Sequence, residues 1–206
     1  MARTESPVPT RTERALATRM RIVGAAHELF FERGYGSSTM ANIADAAGVA
    51  VQTVYFVFHT KAELLREVCR SAVLGDDPTP PEDQPWFREL EHEGDAAAML
   101  TRFVENVGPI AARTAPINSV IREARDPHAL EIYRESERRR RAAYGHVIRL
   151  LARDGRLRED IDEERATDVL MFLAGPQSFL ILVHDYGWPV DEWVAWAAGS
   201  LVERLL

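Results

Sequence analysis

Covalent and metal chemistry have few candidates in this chain. The six histidines (His27, His59, His92, His128, His146 and His184) show no metal-ligand spacing, and the single cysteine, Cys69, excludes an intrachain disulfide and a cysteine-cluster metal site. There is no HExxH, no GxSxG and no glycine-rich phosphate loop. The expectation is therefore no catalytic residue, no metal and no cofactor. Hydrogen-bonding chemistry remains, and it concentrates between Ser38 and Leu65, in STMANIADAAGVAVQTVYFVFHTKAELL. Met40 to Ala46 reads as a short helix with Ile43, Ala46 and Ala47 inward. Gly48 can take a positive φ at little cost, Val49 packs back, and Ala50 to about Val57 forms a second helix. Two short helices joined by a tight glycine-containing turn make a helix-turn-helix, whose second member can enter a major groove. Short helix pairs also occur with no nucleic-acid role. Thr60 and Glu63 supply a capping box for a third helix.

The elements that must hold this stretch follow from length and pattern. At 206 residues with 46% hydrophobic content, the chain suits one or two domains of all-α type. The expected division is 13–60 for the helix-turn-helix unit, a three-helix bundle, and 61–206 for a larger helical unit. Net charge is −7, which looks wrong for a nucleic-acid binder until it is divided. Residues 1–65 carry seven basic and six acidic side chains, so the negative excess lies beyond them. The start is basic and polar, and no window approaches 18 uninterrupted apolar residues. That predicts a cytoplasmic protein with no membrane partner. Residues 1–12, with Pro7 and Pro9, read as an arm, in which Arg3 and Arg11 either reach DNA or are simply solvated.

The first helix runs from Glu13 or Ala17 to Arg33, with Ile22, Ala25, Ala26, Leu29 and Phe30 on one face. Cys69 falls in the apolar pattern Leu64, Leu65, Val68, Ala72, which reads as a buried thiol; a redox role would need exposure. Residues 74–85 read as a surface loop. Asp95 can cap a helix running to about Arg113, bent or ended at Gly108-Pro109, with Phe103 and Val107 on its apolar face. Pro116 opens another short helix, and Asp126-Pro127 starts a long one reaching Arg153. On that long helix Tyr144, Val147, Ile148 and Leu151 form an apolar face. Extended backwards, the same face carries Tyr133, Glu137, Arg140 and Arg141. Core-facing polar residues must be paired or wetted, so either a cavity lies there or the helix emerges into solvent. The four arginines at 138–141 have Glu131, Glu135 and Glu137 within pairing reach and read as a solvated face.

A helix from Asp162 to about His184, kinked at Gly175-Pro176, and a last one from Val190 offer more apolar surface than one monomer core requires. Leu173, Leu180, Ile181, Trp193, Val194, Ala197 and Leu201 are the expected seam of a C₂ homodimer.

The run IVGAAHELFFERGYGSSTMANIADAAGVAVQTVYFVFHTKAELL, residues 21 to 65, resembles the N-terminal domain of the TetR family of bacterial transcriptional regulators. The pieces that carry the resemblance are AA…LF…GY, Thr39, IA…AGV, TVY, the late aromatic and KAELL. The resemblance implies a homodimer that binds a near-palindromic double-stranded DNA operator and is released by a small molecule in the C-terminal domain. It puts the recognition helix at residues 50–56, with Val51, Gln52 and Thr53 at the bases. Gln52 alone can make a bidentate pair, favouring adenine. Tyr55 and Lys61 look like phosphate contacts, with Thr39 and His59 beside them; Tyr55 can equally be a core ring with a surface hydroxyl. Phe56 and Phe58 are expected to be structural. Members often carry serine where this chain has Ala50, so one backbone contact per half-site is missing. An apolar or aromatic effector is expected at Trp86, Phe103, Val107, Tyr133, Tyr144, Phe172 and Phe179, with Glu137 or Arg141 as polar fixers. The resemblance places the dimer interface on the last two helices. The alternative is a helical ligand-binding or interaction module that has lost DNA binding.

Overall fold

The computed structural model describes residues 10–206, and among them every regular element is helical. Arg3 and the rest of 1–9 lie outside the described residues. Contacts divide the chain into two compact units, Met1–Val68 and Cys69–Leu206.

In the first unit, α1 (Arg11–Ser37) starts earlier than the apolar pattern suggests, because Thr10 and Glu13 form a capping box. Arg11 is thus the first helical residue rather than part of an arm. Helical geometry breaks at Gly34 (φ 79°, ψ 156°), a combination essentially closed to other residues. The Ser38 hydroxyl closes the end by donating to the carbonyls of Leu29 (3.1 Å) and Gly34 (2.9 Å). α2 (Met40–Ala46) and α3 (Val51–Val57) turn through 108°. At the corner Gly48 takes φ 63°, and the Val49 N–H returns to the Ala44 carbonyl at 3.0 Å. α4 (Lys61–Leu74) opens with Thr60 Oγ1 accepting from the Glu63 N–H (3.1 Å), while the Glu63 carboxylate reaches the His59 N–H (3.1 Å). Ile22, Phe30, Ile43, Val54, Leu64 and Leu65 are fully buried at the centre of this unit. Cys69 is buried, as its apolar setting implied.

The second unit holds a short α5 (Pro85–Glu89), α6 (Ala96–Glu123), α7 (Pro127–Arg153), α8 (Glu163–Leu173), α9 (Pro176–Phe179), a π-helical segment Leu180–Asp185, and α10 (Val190–Leu205). Asp95, Asp126 and Asp162 cap α6, α7 and α8 as their positions suggested. The expected break in α6 does not occur: one helix runs through Pro109 and Pro116. Each proline removes one backbone bond, but Val104, Val107, Gly108, Ala111 and Ala115 are buried on either side and packing holds the axis. The core lies among α6, α7, α8, α9 and α10, built on Phe103, Val147, Leu151, Leu170, Trp193 and Leu201. The stretch Glu163–Asp185 is long and apolar enough by composition to cross a bilayer. It is broken at Gly175-Pro176 and buries Ala166, Leu170, Ala174 and Phe179 in this core, which is how a core helix behaves.

Candidate nucleic-acid interface and ligand site

α3 has one fully buried side chain, Val54. Gln52 is exposed, Val51 and Thr53 are half-buried, and Tyr55 is about half exposed. Phe56 departs from expectation: at 83% exposure it packs on nothing substantial, whereas Phe58 is buried as anticipated. The reason is helical phase, since two residues beyond Val54 is about 200° around the axis. Ala50 caps α3 with no side-chain bond, consistent with its lack of a hydroxyl.

The other side chains of this face have internal partners. Thr39 is exposed, but its hydroxyl accepts from the Asn42 N–H (3.1 Å) and donates to the Asn42 amide oxygen (2.7 Å) in the α2 capping box. The Lys61 ammonium donates to the carbonyls of Tyr35 (2.9 Å) and Ser38 (3.1 Å) and lies 4.2 Å over the Tyr35 ring. These contacts pin the first turn of α4 to the link between α1 and α2. His59 is exposed at the preceding turn.

In the second unit the expected ligand residues separate into groups. Trp86, Phe103 and Tyr144 form an aromatic chain, with centroids 6.3 Å and 4.9 Å apart. Beside it lies a polar group. Arg140 donates to Glu137 (2.6 Å) and to the Gln177 amide oxygen (3.3 Å), and Gln177 donates to the Tyr133 hydroxyl (3.1 Å). The Arg140 Nε is buried with no protein partner. Arg140 lies in this group as its spacing from Tyr133 and Glu137 suggested, and Gln177, which the sequence reading missed, joins it from α9 as the polar interruption of an apolar run. Arg141 instead turns out to Asp168 (2.6 Å) at an exposed edge, so it does not face the same group. Phe172 is 58% exposed on α8, and Phe179 packs on Trp193 at 5.1 Å; neither joins the aromatic chain. Val107 is buried in the core of α6. The arginine run is paired: Arg138 with Glu131 (3.0 Å), Arg139 with Glu135 (3.9 Å).

The Tyr144 hydroxyl donates to the Ala174 carbonyl (3.1 Å), and burial pushes its pKa from 10.0 up to about 12; nearby Arg140 opposes the rise and Glu137 adds to it. The folded chain keeps this proton where the unfolded chain has lost it. The stabilisation is complete below pH 10 and disappears as pH rises from 10 to 12, a loss of about 2–3 kcal/mol. Urea midpoints from pH 9 to 12 should fall for the parent and fall less for Tyr144→Phe, which starts lower by about 1 kcal/mol for its lost hydrogen bond. Parallel curves would refute the assignment.

The expected dimer residues also divide. Trp193, Ala197 and Leu201 are fully buried in the protomer's own core and cannot present a seam, because an inward helix face is spent on α6. Leu173, Leu180 and Val194 are partly exposed and Ile181 is 40% exposed. Val194 lines a shallow depression with Thr101, Glu105, Val190 and Ala198 between α6 and α10. Among the described residues no three His, Cys, Asp or Glu side chains gather as a metal site.

Comparison with known proteins agrees with this geometry. Residues 22–68 match the family described as bacterial regulatory proteins, tetR family. Over 59 residues the chain is 41% identical to the HTH-type transcriptional regulator TtgR of Pseudomonas putida. That stretch is 29% of this chain and spans 28% of the length of that relative. The fold as a whole is similar to that of NalD, the secondary repressor of the MexAB-OprM multidrug efflux pump in Pseudomonas aeruginosa, with TM-score 0.74, 23% identity, and 93% and 98% of the two chains covered. It is also similar to the fatty acid degradation regulator FadR from Bacillus halodurans, with TM-score 0.70, 17% identity, and 96% and 97% covered. Residues 22–68 thus match the tetR-family model in sequence, and the chain shares its all-helical fold with these solved structures.

Proposed function

We propose that this chain is a transcriptional regulator rather than an enzyme: a homodimer that occupies a near-palindromic operator and leaves it when a small molecule binds the second unit. One observation carries the reading. α3 keeps Val54 inward and turns Gln52 and Tyr55 to solvent, in a helix-turn-helix at 108° that lies within the family match. Such a helix enters a major groove, and a two-fold dimer spaces two of them about 34–36 Å apart or a multiple of that. Val51, Gln52 and Thr53 are assigned to base edges, and Tyr55, His59, Thr39 and Lys61 to the backbone. The exposed residues Phe172 and Ile181, with Leu173 and Leu180, are assigned to the contact with a second copy. The effector site is assigned to the chain Trp86, Phe103, Tyr144 and the polar group Tyr133, Glu137, Arg140 and Gln177, which suits an aromatic molecule with hydrogen-bonding groups. Release works by population shift: the effector favours the conformation that does not fit DNA.

The second reading, a helical ligand-binding module without DNA binding, draws on the internal engagement of Thr39 and Lys61 and on Ala50. Unbiased selection of bound duplexes by the purified chain separates the two. Recovery of an inverted repeat is expected; recovery of no sequence supports the module. On the selected duplex Gln52→Ala should relax discrimination at one base position by about 1–3 kcal/mol, while binding to random DNA stays unchanged. Equal losses on both DNAs would remove Gln52 from base readout.

A further inference from the structure

We infer that Phe56 is a specificity residue that reads the C5-methyl group of a thymine in the major groove; the inference rests on the DNA-binding reading above. Phe56 is the most exposed large apolar side chain of the described residues, at 83%. It follows Gln52 by one turn on the same face of α3, and Tyr55 stands beside it at 50% exposure. The inward positions of this segment are filled by Val54 and Phe58, and the Phe56 ring lies on the opposite, solvent side of the helix.

The ring carries no hydrogen-bonding group, which rules out a phosphate or sugar contact by hydrogen bond and any reading of donor and acceptor patterns. Among major-groove features only the thymine methyl is apolar, and it projects from the edge of the base into the groove. A rigid ring one turn behind Gln52 can therefore meet a methyl near the base that Gln52 bonds. Covering both apolar surfaces on binding supplies a favourable term that cytosine or adenine at that position does not. The site thus joins a polar readout at Gln52 to an apolar one at Phe56, and the second holds only while a thymine stands at that place.

The test uses the full chain and the duplex it selects, with each thymine replaced in turn by deoxyuridine, which removes the methyl and keeps every hydrogen-bonding group. One thymine per half-site should be found whose demethylation weakens parental binding about fourfold. Phe56→Ala should be indifferent to that replacement, Phe56→Leu should keep part of the sensitivity, and Val51→Ala should keep all of it at that thymine. Thermal unfolding of Phe56→Ala should match the parent, since the side chain packs on little. If Phe56→Ala binds the selected duplex and retains the parental sensitivity at every thymine, or if the sensitivity disappears with Val51→Ala instead, the inference is overturned while DNA binding stands. If the parent selects no duplex at all, the underlying reading fails and the inference falls with it.

Discussion

Replacing Trp193 by alanine should cost about 3–5 kcal/mol of stability. The indole is fully buried, packs edge-on against Phe179 with centroids 5.1 Å apart, and donates its N–H to Ser178 Oγ at 3.2 Å. Ser178 in turn donates to the carbonyls of Leu173 (2.9 Å) and Gly175 (3.1 Å), so the ring is tied to the break between α8 and α9 as well as to the core. Because these contacts lie within one protomer, the shift in urea midpoint from parent to variant should be the same at protein concentrations tenfold apart. Ser178→Ala should cost about 1–3 kcal/mol by leaving the indole N–H unpaired. A Trp193→Ala protein with the parental midpoint but a lower sedimentation coefficient would return the indole to a subunit contact.

Gly175→Ala should be nearly as damaging, about 3 kcal/mol or more, for a different reason. Its backbone (φ −100°, ψ 168°) is open to any residue, so no torsional strain is involved. The obstacle is space: a Cβ at Gly175 would stand 2.1 Å from the Met171 carbonyl oxygen and 3.2 Å from Gln177 Oε1. Backbone must move to admit it, and the turn that moves carries the Ala174 carbonyl bonded to Tyr144 and both Ser178 bonds. Gly199→Ala in α10 provides the control of opposite sign. Nothing lies within 4 Å of a Cβ there, and the change should stabilise by about 0.5–1 kcal/mol. The same denaturation series measures both, and an unchanged midpoint for Gly175→Ala would show that the helix break is not held as described.

Sequence periodicity located most helices because their ends carry local chemistry. Thr39, Asp95, Asp126 and Asp162 are caps that need no tertiary information, and Gly48, by its positive φ, and Pro176, by its ring and missing N–H, interrupt helices through their own backbone limits. It erred at Pro109 and Pro116, where packing on α10 outweighs a missing N–H, and at Thr10, a capping box ahead of any apolar repeat. At the sites, residue type was legible but direction was not. Trp193, Ala197 and Leu201 are apolar whether they face a partner or their own core. Arg140 and Arg141 are adjacent and identical in type, yet one faces Gln177 and the other Asp168. Phe56 and Phe58 differ by two residues and by almost the whole range of exposure. Phase around an axis decides each case, and fixing it takes the neighbouring helices.

The π-helical turn Leu180–Asp185 holds a surplus amino acid relative to α geometry. It ends with the Tyr186 N–H on the Ile181 carbonyl (3.0 Å) and the Trp188 N–H on the Leu182 carbonyl (2.9 Å), which delivers Trp188 to Trp196, centroids 6.0 Å apart. Deleting one codon here would tighten the coil and swing the following connector by about 100°, taking Trp188 away from Trp196. The length of this stretch therefore decides more than its composition does: a substitution leaves the heading of the connector alone, whereas an insertion or deletion would misdirect the chain as it leaves for its final helix.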